Sequence, residues 1–352
     1  MLQTHGGDWA AFEEEYGRPP LDFSASVSPF GLPEGVREAV MAALERAERY
    51  PDPRCTALRR AIGETLGVDA GRIVCGAGAA ELIHRLCRCE KPKTALLPEP
   101  GFSEYRRALE AVDCTVYTHV LTAENGFVLT ERILGDITPG LSLLVLCQPN
   151  NPTGRCIEPG LLRRILMRCG ETGTRLLLDE CFVDFLDAPE ACSLLPALEE
   201  SEALVLLRAF TKSHGLAGLR LGYALCGSEE LARRLAGTGQ PWPVSQLAQA
   251  AGIAALRDSA YLPRLQAWLR TERPILARGL AALGLRVVPG EGNFLLFQAG
   301  DGRLAERMRK KGVLIRDCRD FHGLEPGWYR VAVRTHGENK ALLQALKEVL
   351  DG

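Results

Sequence analysis

The chain contains no apolar run approaching the roughly 20 residues that a membrane-spanning helix needs. Its first residues, MLQTHGGDWAAFEEEYG, lack the basic start and apolar core of a secretion signal. A cytoplasmic protein without a membrane partner is therefore expected. Neither sign of charge is in excess, since 42 Lys and Arg face 44 Asp and Glu for a net charge of −2. No overall field would gather nucleic acid or an anionic surface, and any charged ligand must be recognised by a local cluster. Metal-binding spacing is missing too. There are twelve cysteines, but the tightest pair, Cys87 and Cys89, lacks zinc-ligand spacing and has no second pair to complete a site. They are expected to be reduced thiols, mostly small buried apolar residues. Internal repeats, low-complexity segments and serine-rich linkers are absent as well.

What is present is an ordinary globular composition, 46% apolar and 24% charged over 352 residues, enough for one large core or two moderate ones. Short apolar runs bounded by turn residues recur at 73–76, 95–97, 115–120, 143–147, 176–179, 204–208 and 221–225, mostly with helix-like sequence between them. That alternation predicts an α/β fold with a mostly parallel seven-stranded sheet covered by helices. Leu58, Ile62 and Leu66 mark one helix before Gly67, and Leu342, Leu343, Leu346, Val349 and Leu350 stripe another. After PWPVS at 241–245 come a long helical stretch and strand-like runs at 285–288, 293–297 and 328–333. These predict a smaller α+β domain. The expected division is 45–245 for the large domain, with 1–44 and 246–352 forming the small one.

Ligands of such sheets bind beyond the carboxyl ends of the strands, so the residues that follow each run matter most. After the first comes Gly76-Ala77-Gly78-Ala79-Ala80-Glu81, a small-residue turn opening a helix whose free N–H groups suit a phosphate. The second run leads to PEPGFSEY, which brings Phe102 and Tyr105 to the same rim; Tyr105 could stack on a flat ring, whereas Phe102 is expected in the core. The fourth leads to CQPNNPTG, a polar turn with the Asn151 amide. The fifth ends in Asp179, a carboxylate at the tip of a buried run, where an unpaired charge is unfavourable unless a cationic N–H meets it. The segment AFTKSHGLAGLRLGY at 209–223 then supplies Lys212, an amine able to bond covalently to a carbonyl cofactor, with Thr211 and Arg220 as phosphate donors.

With Asn151, Asp179, Lys212 and Arg220 in this order, the chain resembles the fold type I pyridoxal phosphate enzymes, the aspartate aminotransferase superfamily, over essentially its whole length. The resemblance implies pyridoxal 5'-phosphate as cofactor, Lys212 as the lysine that condenses with its aldehyde, Asp179 as partner of the ring nitrogen, Asn151 on the phenolic oxygen and Tyr105 stacked on the ring. Gly78, Ala79, Thr211 and Arg220 would hold the cofactor phosphate. It also implies a homodimer in which Tyr50 of the RYPDP segment reaches the neighbouring subunit's cofactor phosphate. RYPDP and GLRLGY look like the histidinol-phosphate aminotransferase branch. HGGDW, DFSASVSPFG, DECFVDF, IRDCRDFHGL and YRVAVRTHGEN look like the threonine-phosphate decarboxylases of cobalamin synthesis, which turn O-phosphothreonine into aminopropanol phosphate and carbon dioxide.

By that likeness Arg316, Arg330 and Arg334 are substrate-anion arginines, and His5 reaches the substrate phosphate from the N-terminal arm. Ser26 and Ser28 stand on the substrate side, where the family has asparagines. Ala209 replaces a usual serine, and Phe182 a tyrosine common in aminotransferases. Three readings follow: decarboxylation of O-phosphothreonine or a related phosphorylated or phosphonylated amino acid, transamination of the histidinol-phosphate type, or a non-catalytic protein that retains the fold.

Overall fold

The structure is a computed structural model and describes residues 5–352. Residues 1–4 of the predicted N-terminal part lie outside the described residues. In chain order the strands are β1 (Leu21–Asp22), β2 (Ile73–Gly76), β3 (Thr94–Glu99), β4 (Thr115–Val120), β5 (Leu143–Cys147), β6 (Arg175–Asp179), β7 (Leu204–Ala209), β8 (Gly222–Cys226), β9 (Arg286–Val287), β10 (Phe294–Gln298), β11 (Val313–Leu314), β12 (Arg316–Asp317) and β13 (Trp328–Ala332).

β2 to β8 form one seven-stranded sheet in the order β2-β8-β7-β6-β5-β3-β4, parallel except for β8, which runs antiparallel to both neighbours. All five residues of β5 are buried, as the near-continuous apolar runs required of a sheet covered on both faces. Successive side chains point to opposite faces, and two cores result. Val145, Leu177, Val205 and Leu207 feed one of them. Leu144, Leu146, Leu176, Leu178, Leu204 and Leu206 feed the other. Each such leucine contributes about 1.5–3 kcal/mol by leaving water, so register is tightly specified. β4 is the half-exposed edge.

The second sheet, β12-β13-β10-β9, is antiparallel and packs with the helices Tyr261–Ala282 and His336–Asp351. The N-terminal segment joins this part of the molecule. β1 pairs in parallel with β11, and Ala332 donates its N–H to the Phe23 carbonyl at 2.8 Å. The chain order of the large sheet reverses between β3 and β5, which opens a crevice at the carboxyl ends of the parallel strands. No helix among the described residues is long and apolar enough to cross a membrane, and no metal-binding cluster is found among them. All twelve cysteines are free thiols.

Candidate active site

A cavity of about 400 Å³ lies in that crevice, lined by Lys212, Asp179, Tyr105, Asn151, Thr211, Arg220 and Ala79 from the large sheet's rim. His5, Ser26, Arg316 and Arg330 close it from the other side. A larger cleft of about 680 Å³, bordered by Arg54, Arg59, Arg233 and Trp242, contains none of these residues. The chemistry therefore belongs to the smaller cavity.

One end of the cavity is shaped for an anion. The helix Ala79–Glu90 starts at Gly78 without a side-chain cap, so its first N–H groups remain available for a ligand. Arg220 bends over this turn in a left-handed conformation (φ 57°), an uncommon and strained state for a side-chain-bearing residue. The approach is close: a Cβ on Gly78, itself at φ 89°, would stand 2.6 Å from Arg220 Nη2. Glycine here serves both the turn and the guanidinium's position. Thr211 is buried beside them.

In the middle, Lys212 follows β7 on the short helix Phe210–Ser213, its Nζ 6.0 Å from the Phe182 ring centroid. Burial, and then the positive charges of Arg330 and Arg220, push its amine down to about 8. Asp179 is buried at the end of β6. It accepts the Tyr105 hydroxyl at 2.6 Å and the Cys181 N–H at 2.9 Å. Burial raises its carboxyl above the ordinary value although both hydrogen bonds oppose that. Asp179 therefore favours a partner that brings a proton, and it caps no helix. Phe102, expected in the core, lines the cavity and meets Tyr105 edge-on with centroids 5.5 Å apart.

The other end is cationic. Arg330, buried on β13, donates from Nη1 to Asn151 Oδ1 and from Nη2 to the Ser24 carbonyl at 3.1 Å. Its Nε lacks a hydrogen-bond partner among the described residues. Among the described residues no carboxylate pairs with it, and burial pushes it down to about 10. Arg316 is held by Asp320 at 2.7 Å and sits over the Phe321 ring. The buried Ser26 hydroxyl, like Arg330 Nε, has no hydrogen-bond partner among the described residues.

Four predicted site residues are not in the cavity's lining, one of which, Gly78, immediately precedes the lining Ala79. Arg334 does not line it; its guanidinium is tied to Glu338 at 2.6 and 3.0 Å. Ser28 bonds the Tyr261 hydroxyl at 2.7 Å instead of facing a ligand. Tyr50 is 78% exposed and stacks on Trp242 at 4.4 Å. Conversely, Glu104, Arg107, Phe321 and Cys181 line the cavity and were not singled out. None of them carries a signal of its own in the sequence; Glu104 reads there as an acidic residue in the first turn of a helix.

The residue set fits pyridoxal phosphate. It offers a neutralisable amine, a buried carboxyl favouring a protonated partner, an aromatic wall and a turn in which a Cβ would displace the arginine over an uncapped helix start.

Residues 18–346 match the sequence profile of the family described as aminotransferase class I and II. The threonine-phosphate decarboxylase of Salmonella typhimurium is 38% identical, over 99% of this chain and 97% of its own length. Histidinol-phosphate aminotransferase 2 of Archaeoglobus fulgidus is 30% identical, over 97% of each. The solved structure of the histidinol-phosphate aminotransferase from Clostridium acetobutylicum superposes with a TM-score of 0.87 over 94% of this chain and 98% of that one, at 24% identity, a likeness of fold.

Proposed function

The chain belongs to the class I and II aminotransferase family, and from that premise we propose that it is a pyridoxal phosphate-dependent carboxy-lyase, removing the carboxylate of O-phospho-L-threonine, or of a related phosphorylated or phosphonylated amino acid, as carbon dioxide. The observation that carries this reading is the buried Arg330 guanidinium without a carboxylate partner, in one cavity with Arg316 and His5. A buried cation of this kind is stabilised by an incoming anion. With the cofactor phosphate on the Gly78 turn, this second cationic end suits a substrate carrying its own phosphate.

When bound, pyridoxal phosphate supplies an electron-accepting ring conjugated to the substrate amine. Lys212 Nζ holds it covalently and afterwards carries a proton to the substrate α-carbon. Asp179 keeps the proton on the ring nitrogen, Asn151 faces the phenolic oxygen, and Tyr105 walls the ring. Thr211, Arg220 and the N–H groups after Gly78 fix the cofactor phosphate. Arg330, Arg316 and His5 would hold the substrate phosphate, and by fixing that group they would decide which bond at the α-carbon is presented for cleavage. Ser26 Oγ, buried and without a hydrogen-bond partner among the described residues, is a further polar group on this side.

Transamination of the histidinol-phosphate type is the second reading, favoured by the 30% identical relative. It would have the substrate carboxylate on Arg330 and would need a keto-acid acceptor. The two readings separate on mixing the pure holoenzyme with O-phosphothreonine and no keto acid. Carbon dioxide release over many turnovers is expected; its absence, with the amino group retained on the cofactor, would replace the lyase by the aminotransferase. The same reading takes the protein as a cytoplasmic homodimer serving cobalamin biosynthesis. The exposed Tyr50–Trp242 pair supports the dimer, as the part of one protomer that extends toward its partner's cofactor phosphate.

A further inference from the structure

Glu104 is an anomaly in a cavity built for anions. It lies in the first turn of the helix Ser103–Glu110, is buried, and lines the same cavity as Arg316 and Arg330. A carboxylate there would repel a phosphate unless neutralised. Arg107 Nη1 at 2.7 Å offsets its charge, and two imidazoles bond it as well: His5 Nε2 at 3.0 Å on the same oxygen and His84 Nε2 at 3.2 Å on the other. Burial opposes its ionisation, yet the bonds from His84 and His5 and the charge of Arg107 hold its carboxyl below the usual value.

His5 is also held from behind. Gly7 donates its N–H to Ser24 Oγ at 2.8 Å, and a Cβ on Gly6 would stand 2.2 Å from the Ser24 carbonyl oxygen, so the arm lies flat on that residue. The same Ser24 carbonyl accepts from Arg330 Nη2. Glu104 and Arg330 thus grip the two ends of one short bracket, with His5 against Phe102 at 5.8 Å. With Nε2 directed at the carboxylate, the ring's other nitrogen is the one left for a ligand.

We propose that Glu104 is a positioning residue for substrate recognition: it fixes the N-terminal arm against the cavity through His5 and orients that ring so that its second nitrogen faces the substrate's phosphate. This rests on the reading that the substrate carries a phosphate. Glu104 contacts no reacting atom and acts through His5, so its loss alters binding and leaves the chemical step in place. An acidic residue in the first turn of a helix can instead do no more than offset the helix dipole. In that case its removal and that of His5 would act independently.

The test is a double-mutant cycle on the holoenzyme with Glu104→Gln, His5→Ala and the double variant. Each single variant is expected to raise KM for O-phosphothreonine about tenfold, the size of one charge-assisted hydrogen bond, with kcat within about twofold. The double variant should be no worse than His5→Ala alone. Multiplicative effects, or a loss confined to kcat, would overturn the proposal. A second readout needs no substrate. Glu104→Gln should speed proteolytic cleavage within the arm several-fold, followed by mass spectrometry on the folded holoprotein, and unchanged cleavage would overturn the bracket. If the parent enzyme releases no carbon dioxide but the variant's arm is cleaved faster, the substrate assignment has failed and the bracket stands.

Discussion

Lys212 and Arg330 are both cations held below their ordinary values by burial, with different consequences. For Lys212 the reactive form is the neutral amine. A value of about 8 leaves about a quarter of it neutral at pH 7.5, against about 0.1% for an unperturbed lysine. The rate of cofactor capture by the apoprotein is expected to rise with pH through a midpoint near 8; a rise continuing toward 10.5 would contradict the burial described. For Arg330 the shift bears on stability. Its folded value, about 10, lies below the ordinary arginine value of the unfolded chain, so the penalty is absent above that ordinary value, accumulates as pH falls from there to 10, and is complete below 10, neutral pH included. Arg330→Met is therefore expected to be as stable in urea as the parent or more stable by about 1–3 kcal/mol. The same variant should lose at least about 100-fold in kcat/KM. Residues of this kind were legible when they sat at a fixed offset from a strand end, as Asp179, Asn151 and Lys212 do. Ser28 was not, because Tyr261, which claims its hydroxyl, becomes a neighbour only through packing, whereas Arg334 is claimed locally by Glu338, four residues on at the start of the last helix. Glu104 looks in sequence like any acidic residue opening a helix.

Among the elements, the large sheet was the most readable part. The runs at 73–76, 115–120 and 143–147 coincide with β2, β4 and β5. Continuous apolar segments between helices admit few other arrangements. β1 and β11, two residues each, were invisible because so short a pairing leaves no periodicity. Nor could sequence reveal that β8 passes so close to the phosphate turn. A Cβ on Gly222 would stand 2.8 Å from the Gly78 carbonyl carbon and 2.9 Å from the Ala79 nitrogen, backbone atoms that cannot rotate away. Gly222→Ala is expected to destabilise the apoprotein by about 1–3 kcal/mol in urea unfolding. It should also weaken cofactor affinity in a fluorescence titration, since relief of the clash displaces the helix start. Retention of both properties would mean that the turn is more pliable than its packing indicates.

At the scale of the molecule, sedimentation of the holoprotein is expected to give twice the 38.4 kDa of one chain. Tyr50→Ala should weaken cofactor binding about tenfold without altering the fold of the protomer, as expected for one hydrogen bond to a phosphate. A monomer that is fully active would remove the shared site. The cavity also joins distant parts of the sequence. Residues 5–26 form one wall and Arg316 and Arg330 another, and β1 finds its partner in β11. On a ribosome adding roughly 5–20 residues per second, β1 emerges some 15–60 s before β11 exists. In the last part of that interval, once Lys212 has been added, it and the phosphate turn can be in place while the substrate side stays open. The nascent protein can thus be loaded with its cofactor before it can select what to act on.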